Sequence, residues 1–158
     1  MEKMLSIEVL NNVSEIDIVY RKKAKCKVSE RPLVGTSNDV YRILLHYWNQ
    51  DKIELLEEFK VIFLNRANRV MQLLPVSQGG ITGTVADPRL ILGAALKIAA
   101  CSIILSHNHP SGSLKPSRAD EELTSKIKAA AGYFDIKLLD HLIISADGYY
   151  SFADEGLL

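Results

Sequence analysis

Ile103-Ile104-Leu105-Ser106-His107-Asn108-His109-Pro110-Ser111-Gly112 is the stretch on which the fold turns, and Ser117 and Asp120 follow it closely. A short, continuous apolar run marks a strand buried on both faces, as in the middle of a sheet covered by helices. This run delivers His107 and His109 at its end. Strand side chains alternate, so both imidazoles point to the same face. Asp120 can then arrive from the first turn of the next helix. Two imidazoles and one carboxylate around an open position are the donor set of a catalytic zinc site, with water as fourth ligand. The end of a central strand is also where open α/β sheets usually place their sites.

Each residue has a plainer reading. Two histidines in a polar loop need hold no metal, and Pro110-Ser111-Gly112 is ordinary turn chemistry. Ser117 and Asp120 have the form of a capping box, Ser as N-cap with an acid at the third helical position. Phase separates Asp120 from its neighbours. On a helix starting at Arg118, positions 120, 123 and 127 share a face. Leu123 and Ile127 make that face apolar, so Asp120 is expected to point inward, where a carboxylate needs a cation or hydrogen-bond donors. Glu121 and Glu122 do not share that face, and Glu122 is within reach of Lys126 on the wet side.

Outward from this stretch, 158 residues with 47% hydrophobic content fit one domain with a sizeable core. The formal net charge is zero, so no global basic field attracts nucleic acid or an anionic membrane. Cys26 and Cys101 lie too far apart for a CxxC motif, and Cys101 opens the apolar run, so a buried free thiol is expected there. No apolar stretch reaches transmembrane length and the start lacks a secretion signal, which makes a cytoplasmic protein with no membrane partner the default expectation.

Residues 16–20 look like a strand, and Arg21, Lys22, Lys23, Lys25 and Lys27 form a local basic run. Lysines on an edge strand discourage edge pairing, and a contact to nucleic acid or an acidic partner is the functional alternative. Thr36 or Ser37 caps a helix to about Trp48, with Val40, Ile43, Leu44 and Tyr47 on one side. Strands are expected over 57–64 and 70–76, joined by a turn at 65–68, and 81–85 looks extended. Asp87 and Pro88 open a helix to about Ala100, in which Gly93, Ala94 and Ala95 permit close packing on a sheet. A helix over 118–131 ends near Gly132. A strand over 136–145 then turns at Asp147-Gly148 into Tyr149 to Phe152. The pattern predicts an α/β fold, a mixed β-sheet with helices packed on its faces.

Zinc-assisted hydrolysis usually needs a proton acceptor besides the metal. In the strand at 57–64, Glu57 is in register with Phe59, Val61 and Phe63, and Glu58 with Lys60. Glu57 therefore shares the more uniformly apolar face, while Glu58 is expected to meet water. The alternative is that both are surface residues at a frayed strand start. His141, in phase with Leu139 and Ile143, reads as a buried histidine held by a neighbour, with a supporting role beside the metal as the alternative.

The string H-x-H-x(7)-S-x(2)-D, running from His107 to Asp120, resembles the JAMM signature of JAB/MPN-domain metalloproteases. His-Asn-His-Pro-Ser-Gly at 107–112, Pro-Ser-x-x-Asp at 116–120 and Leu139-Asp140-His141 are more closely similar to the bacterial RadC family. Glu57-Glu58-Phe59 and Asp87-Pro88-Arg89 fit that family's E-x-F position and Pro-Arg helix start. The resemblance runs from about Val34 to the C-terminus. It implies a JAB/MPN domain over 35–158 with a cytidine-deaminase-like layered architecture, preceded by an extension over 1–34. His107, His109 and Asp120 would bind Zn2+ with a water, Glu57 would be the general base, and Ser117 would help hold the oxyanion. The implied reaction is hydrolysis of a peptide or isopeptide bond in a protein or peptide substrate.

Longer RadC proteins are expected to carry an N-terminal helix-hairpin-helix, and residues 1–35 show no such pattern. Three readings therefore compete: a zinc hydrolase, a DNA-associated repair accessory using the basic run, and a metal-stabilised interaction module without turnover. Other zinc classes fit poorly. A nucleobase deaminase needs H-x-E with P-C-x-x-C, an H-E-x-x-H helix is absent, and the letters H-N-H alone do not make a nuclease.

Overall fold

The computed structural model describes residues 26–80 and 85–158. The strand expected at 16–20, the basic run from Arg21 to Lys25 and the extended stretch at 81–84 lie outside the described residues. After a 3-10 turn at Val28–Glu30 the elements are α1 (Ser37–Tyr47), β1 (Glu58–Leu64), β2 (Val70–Gln78), α2 (Pro88–Lys97), β3 (Ser102–Asn108), α3 (Arg118–Gly132), β4 (Lys137–Ile144) and β5 (Tyr149–Ser151). The strands form one sheet in the order β2-β1-β3-β4-β5. β1 runs antiparallel to β2 and β3, β3 and β4 run parallel through the α3 crossover, and β5 returns antiparallel to β4. The fold is therefore α/β with a mixed sheet. Among the described residues no helix is long and apolar enough to cross a membrane.

The apolar run becomes the middle strand, β3, buried along its whole length. Its alternate residues feed two cores. Ile103 and Leu105 join Val61 and Phe63 of β1 beneath α2 and α3, where Ile91, Ala95, Ile127 and Ala131 close the layer. Ile104 joins Ile62, Leu64, Leu142 and Ile144 beneath α1, with Val40 and Leu44. Each of the fully buried valine, leucine and isoleucine side chains among these contributes roughly 1.5–3 kcal/mol relative to exposure.

Several local expectations are corrected. Thr36 and Asp39 cap α1 reciprocally, but Tyr47 is 58% exposed and Trp48 only 3%. The chain leaves the helix at Trp48 (φ −88°, ψ 136°), and the indole packs in the α1 core. α2 begins with Asp87 as cap and Pro88 in its first turn, as expected, but ends at Lys97. The Ala100 N–H donates to Ala95 O (2.9 Å) and the Ala99 N–H to Leu96 O (3.1 Å), a Schellman ending with Ala99 at φ 52°. Gly93 is exposed with open space around it, so Ala95 makes the close approach to the sheet.

α3 ends at Gly132, as expected, but the left-handed residue that closes it is not the glycine. Asp135 takes the left-handed conformation (φ 55°), and the Ile136 N–H reaches back to Ala131 O at 3.1 Å. Glu122 pairs with Arg118 (2.8 Å) rather than with Lys126. Cys101 is exposed, because it precedes the first residue of β3 instead of lying within it. Glu58 does not meet water: its carboxylate holds the Lys60 ammonium at 2.7 Å with both side chains largely covered. That ammonium lies 3.9 Å above the Trp48 ring.

One irregularity matters for the site. The β3–β4 register skips a residue between Ile103↔Leu138 and Ile104↔Asp140, leaving Leu139 as a bulge. Leu138 packs in the α2/α3 core, whereas Leu139 packs in the α1 core with Leu142. His141 is therefore not in phase with Leu139. The bulge reverses the alternation and sends His141 to the face that carries Phe59, its ring 5.7 Å away.

Candidate metal centre

The site is built where β3 ends and α3 begins. Register pairs Phe59 of β1 with His107, and their rings stack 5.9 Å apart. His109 lies just past β3 but stays tied to the sheet, its N–H donating to Ile144 O at 3.1 Å. The turn after it is closed by the Gly112 N–H on His109 O (3.0 Å), with Gly112 at φ 75°, a conformation glycine adopts freely. α3 then starts at a complete capping box. The Ser117 hydroxyl accepts from the Asp120 N–H, and the Asp120 carboxylate accepts from the Ser117 N–H.

These elements bring three ligand atoms to one point. The Nε2 atoms of His107 and His109 are 3.0 Å apart. Asp120 Oδ1 is 3.3 Å from His107 Nε2, and Asp120 Oδ2 is 3.9 Å from His109 Nε2. One atom from each side chain lies within 4.8 Å of the others. His107 is buried and the other two are mostly covered. Burial raises the pKa of the Asp120 carboxyl. The hydrogen bond and charge of His107, then the hydrogen bonds from Ser117, outweigh this and hold it well below the usual carboxylate range.

The donor set suits a divalent ion. His109 Nδ1 donates to Ser113 O at 2.6 Å, which leaves its Nε2 as a lone pair facing the cluster. A lone pair turned toward a second imidazole nitrogen and an ionised carboxylate can hold a cation between them. Two imidazole nitrogens and one carboxylate oxygen match the ligands zinc takes when one position stays open.

Ser117 sits at the edge of this cluster, its hydroxyl donating to Asp120 Oδ2 at 2.6 Å. Glu57 precedes β1 and is half-buried. Its N–H donates to Gly80 O (3.3 Å) and its carbonyl accepts from the Gly79 N–H (2.8 Å). Extending the β1–β3 register by two residues sets Glu57 opposite His109, on the His107 side of the sheet.

Three further residues support the site. Asn108, fully buried on the opposite face of β3, donates from Nδ2 to Ile53 O (2.6 Å) and Leu56 O (2.9 Å) and accepts from the Glu58 N–H (2.8 Å). It fixes the chain that leads into Glu57 and β1. His141 Nε2 meets His107 Nδ1 at 2.9 Å, and Thr124 Oγ1 meets His141 Nδ1 at 2.6 Å. Burial, then the charge of His107, pushes the His141 pKa well below the ordinary imidazole value. Sequence reasoning passed over Asn108 and Thr124. Thr124 carried a signal, since it lies four residues after Asp120 on the same helical face.

Comparison with known proteins agrees with this geometry. A Flavobacterium johnsoniae protein named UPF0758 protein is 52% identical over 101 residues, which cover 64% of this chain and 44% of that protein. A Porphyromonas gingivalis protein of the same name is 48% identical over 103 residues, 65% of this chain and 45% of the relative. A Variovorax paradoxus protein, again of that name, is 46% identical over 147 residues, 92% of this chain and 63% of the relative. The chain spans about half the length of the first two of these curated relatives. Residues 34–157 match the family described as RadC-like JAB domain. With the His-His-Asp cluster seated at the end of the parallel strand pair, the chain belongs to the RadC-like JAB domain family.

Proposed function

We propose that this chain is a JAMM-type metallohydrolase that cleaves a peptide or isopeptide bond. His107 Nε2, His109 Nε2 and Asp120 would hold a Zn2+ ion. The observation that carries this reading is their convergence, with the Nε2 of His109 aimed inward while its Nδ1 donates to Ser113 O. When bound, the ion supplies Lewis acidity, which polarises a carbonyl and makes water a nucleophile near neutral pH.

The chain's own residues do the rest. The Glu57 carboxylate takes the proton of the attacking water and returns it to the departing nitrogen. The Ser117 hydroxyl gives up its bond to Asp120 and donates to the oxyanion as charge develops. Phe59 and the buried Phe152, which stacks on His141 at 4.8 Å, keep water from the inner side of the ligands.

The test has two stages. Elemental analysis after dialysis should find near-stoichiometric zinc in the native protein and none in His109→Ala. A panel of peptide and isopeptide substrates should then be cleaved by the native protein and not by Glu57→Gln, which keeps its zinc. Absence of zinc even after it is added back would sink the mechanism. Zinc without turnover on any substrate would favour the interaction module.

A further inference from the structure

His141 has no place in the reaction just proposed, yet it is fully buried and hydrogen-bonded through both ring nitrogens. Proton counting along the chain of contacts decides its state. The Thr124 hydroxyl lies 2.5 Å from Asp120 O, a backbone carbonyl that can only accept. A hydroxyl has one proton, and this contact uses it. Thr124 Oγ1 must therefore accept from His141, which places the His141 proton on Nδ1. A neutral imidazole then has a bare Nε2, and that atom faces His107 Nδ1. His107 consequently carries a proton on Nδ1, so its Nε2 is the atom left for a proton shared with Asp120 in the metal-free protein or for an ion in that proton's place.

The same contacts tie three elements together. Thr124 and Asp120 are on α3, His107 ends β3, and His141 lies on β4. One end of the relay is bonded to the carbonyl of Asp120, and the other to the ring of His107. The relay thus sets both the tautomer of one ligand and the spacing between two. It exists only because the bulge at Leu139 turns His141 to this face.

We propose that His141 is a positioning residue for metal binding: through Thr124 it fixes His107 as the Nδ1–H tautomer and so keeps the His107 Nε2 lone pair aimed at the ion. This rests on the metal-site reading above, but its central step concerns the metal-free protein and is tested there.

The experiment combines nitrogen NMR of the imidazole rings with Zn2+ affinity by chelator competition. In metal-free native protein, His107 and His141 should each carry the proton on Nδ1. His141→Phe keeps a ring of similar shape between Phe59 and Phe152 but removes both polar atoms. It should shift His107 toward the Nε2–H tautomer and weaken Zn2+ binding by roughly 10–100-fold, the usual effect of losing such a partner. His141→Gln, with an acceptor for His107 and a donor for Thr124, should restore most of that loss. A purely structural role would instead give a thermal shift without the tautomer change.

Should His141→Phe fail to fold, Thr124→Val answers the same question, because it removes the acceptor that holds the His141 proton on Nδ1. Native His107 found with a bare Nδ1, or a folded His141→Phe that binds Zn2+ like the native protein, overturns the proposal. If the native protein binds no Zn2+, the hydrolase reading fails, while the tautomer measurement still decides the relay.

Discussion

Asn108→Ala tests the frame of the site without touching a candidate ligand. The native amide makes three hydrogen bonds, to Ile53 O, Leu56 O and from the Glu58 N–H, at 2.6, 2.9 and 2.8 Å. Each such bond contributes about 1 kcal/mol net, so their loss alone costs about 3 kcal/mol. Alanine also leaves buried carbonyls and an N–H without partners, and each orphaned group adds roughly 1 kcal/mol or more unless water reaches it. The expected cost is therefore about 3–5 kcal/mol. In a chain of this size each kcal/mol shifts Tm by roughly 2–4 °C, so Tm should fall by about 6–20 °C.

Urea denaturation followed by circular dichroism measures the loss directly. Asn108→Asp sharpens the test, because it sets a carboxylate against the two carbonyls that the native amide donates to. It should be worse than alanine at neutral pH and improve as the pH falls. A loss below about 1 kcal/mol for Asn108→Ala, or an aspartate variant no worse than alanine at pH 7, would refute the reasoning.

Three other outcomes are expected. Ala99→Gly should stabilise the protein by about 0.5–1 kcal/mol, since the left-handed cost of alanine exceeds the extra chain entropy of glycine; an unchanged urea midpoint would count against it. Asp140 is buried, which raises its pKa above 3.8, although hydrogen bonds from Ser151, Ala153 and His141 pull it partly back. Its contribution is thus fully present below the unfolded pKa and is lost as pH rises through the folded pKa. Asp140→Asn should remove that fall from a urea series across the window, and parallel profiles would refute the assignment. Ser117→Ala should lower the stability of metal-free protein by about 1 kcal/mol through its lost cap. It should separately lower kcat on a cleaved substrate by roughly 100–1000-fold, and a kcat loss under tenfold would remove Ser117 from the reaction.

What could be read from the chain was what local periodicity controls. The two-residue spacing of His107 and His109 on an apolar strand, and the inward phase of Asp120 with Leu123 and Ile127, need only one element each. What escaped depends on a second element. Leu139 bulges because of its pairing with β3, and nothing in Leu138-Leu139-Asp140 announces a reversal of phase. Glu58 looked wet because its covering partners, Lys60 and Trp48, come together only when the chain leaves α1. The end of α2 was misplaced because no glycine marks it, and alanine takes the left-handed position. Asn108 was hidden by its neighbours: between two histidines, it faces the other side of the sheet.

The two readings that competed for Asp120, helix cap or metal ligand, use different atoms. The Ser117 N–H and hydroxyl both donate to Oδ2, at 2.7 and 2.6 Å. Oδ1 is left nearest the His107 ring, 3.3 Å away. One oxygen closes the first turn of α3 while the other completes the donor set, and each role restricts the carboxylate in the way the other needs. The N-terminus of α3 also favours the ionised form through its exposed N–H groups and dipole. A capping box is thus a means of presenting a rigid carboxylate at a strand end. The price of that economy, in the proposed hydrolase, is that Ser117 would serve an oxyanion only by loosening the cap, so the same hydroxyl that orders the carboxylate would be released during the reaction.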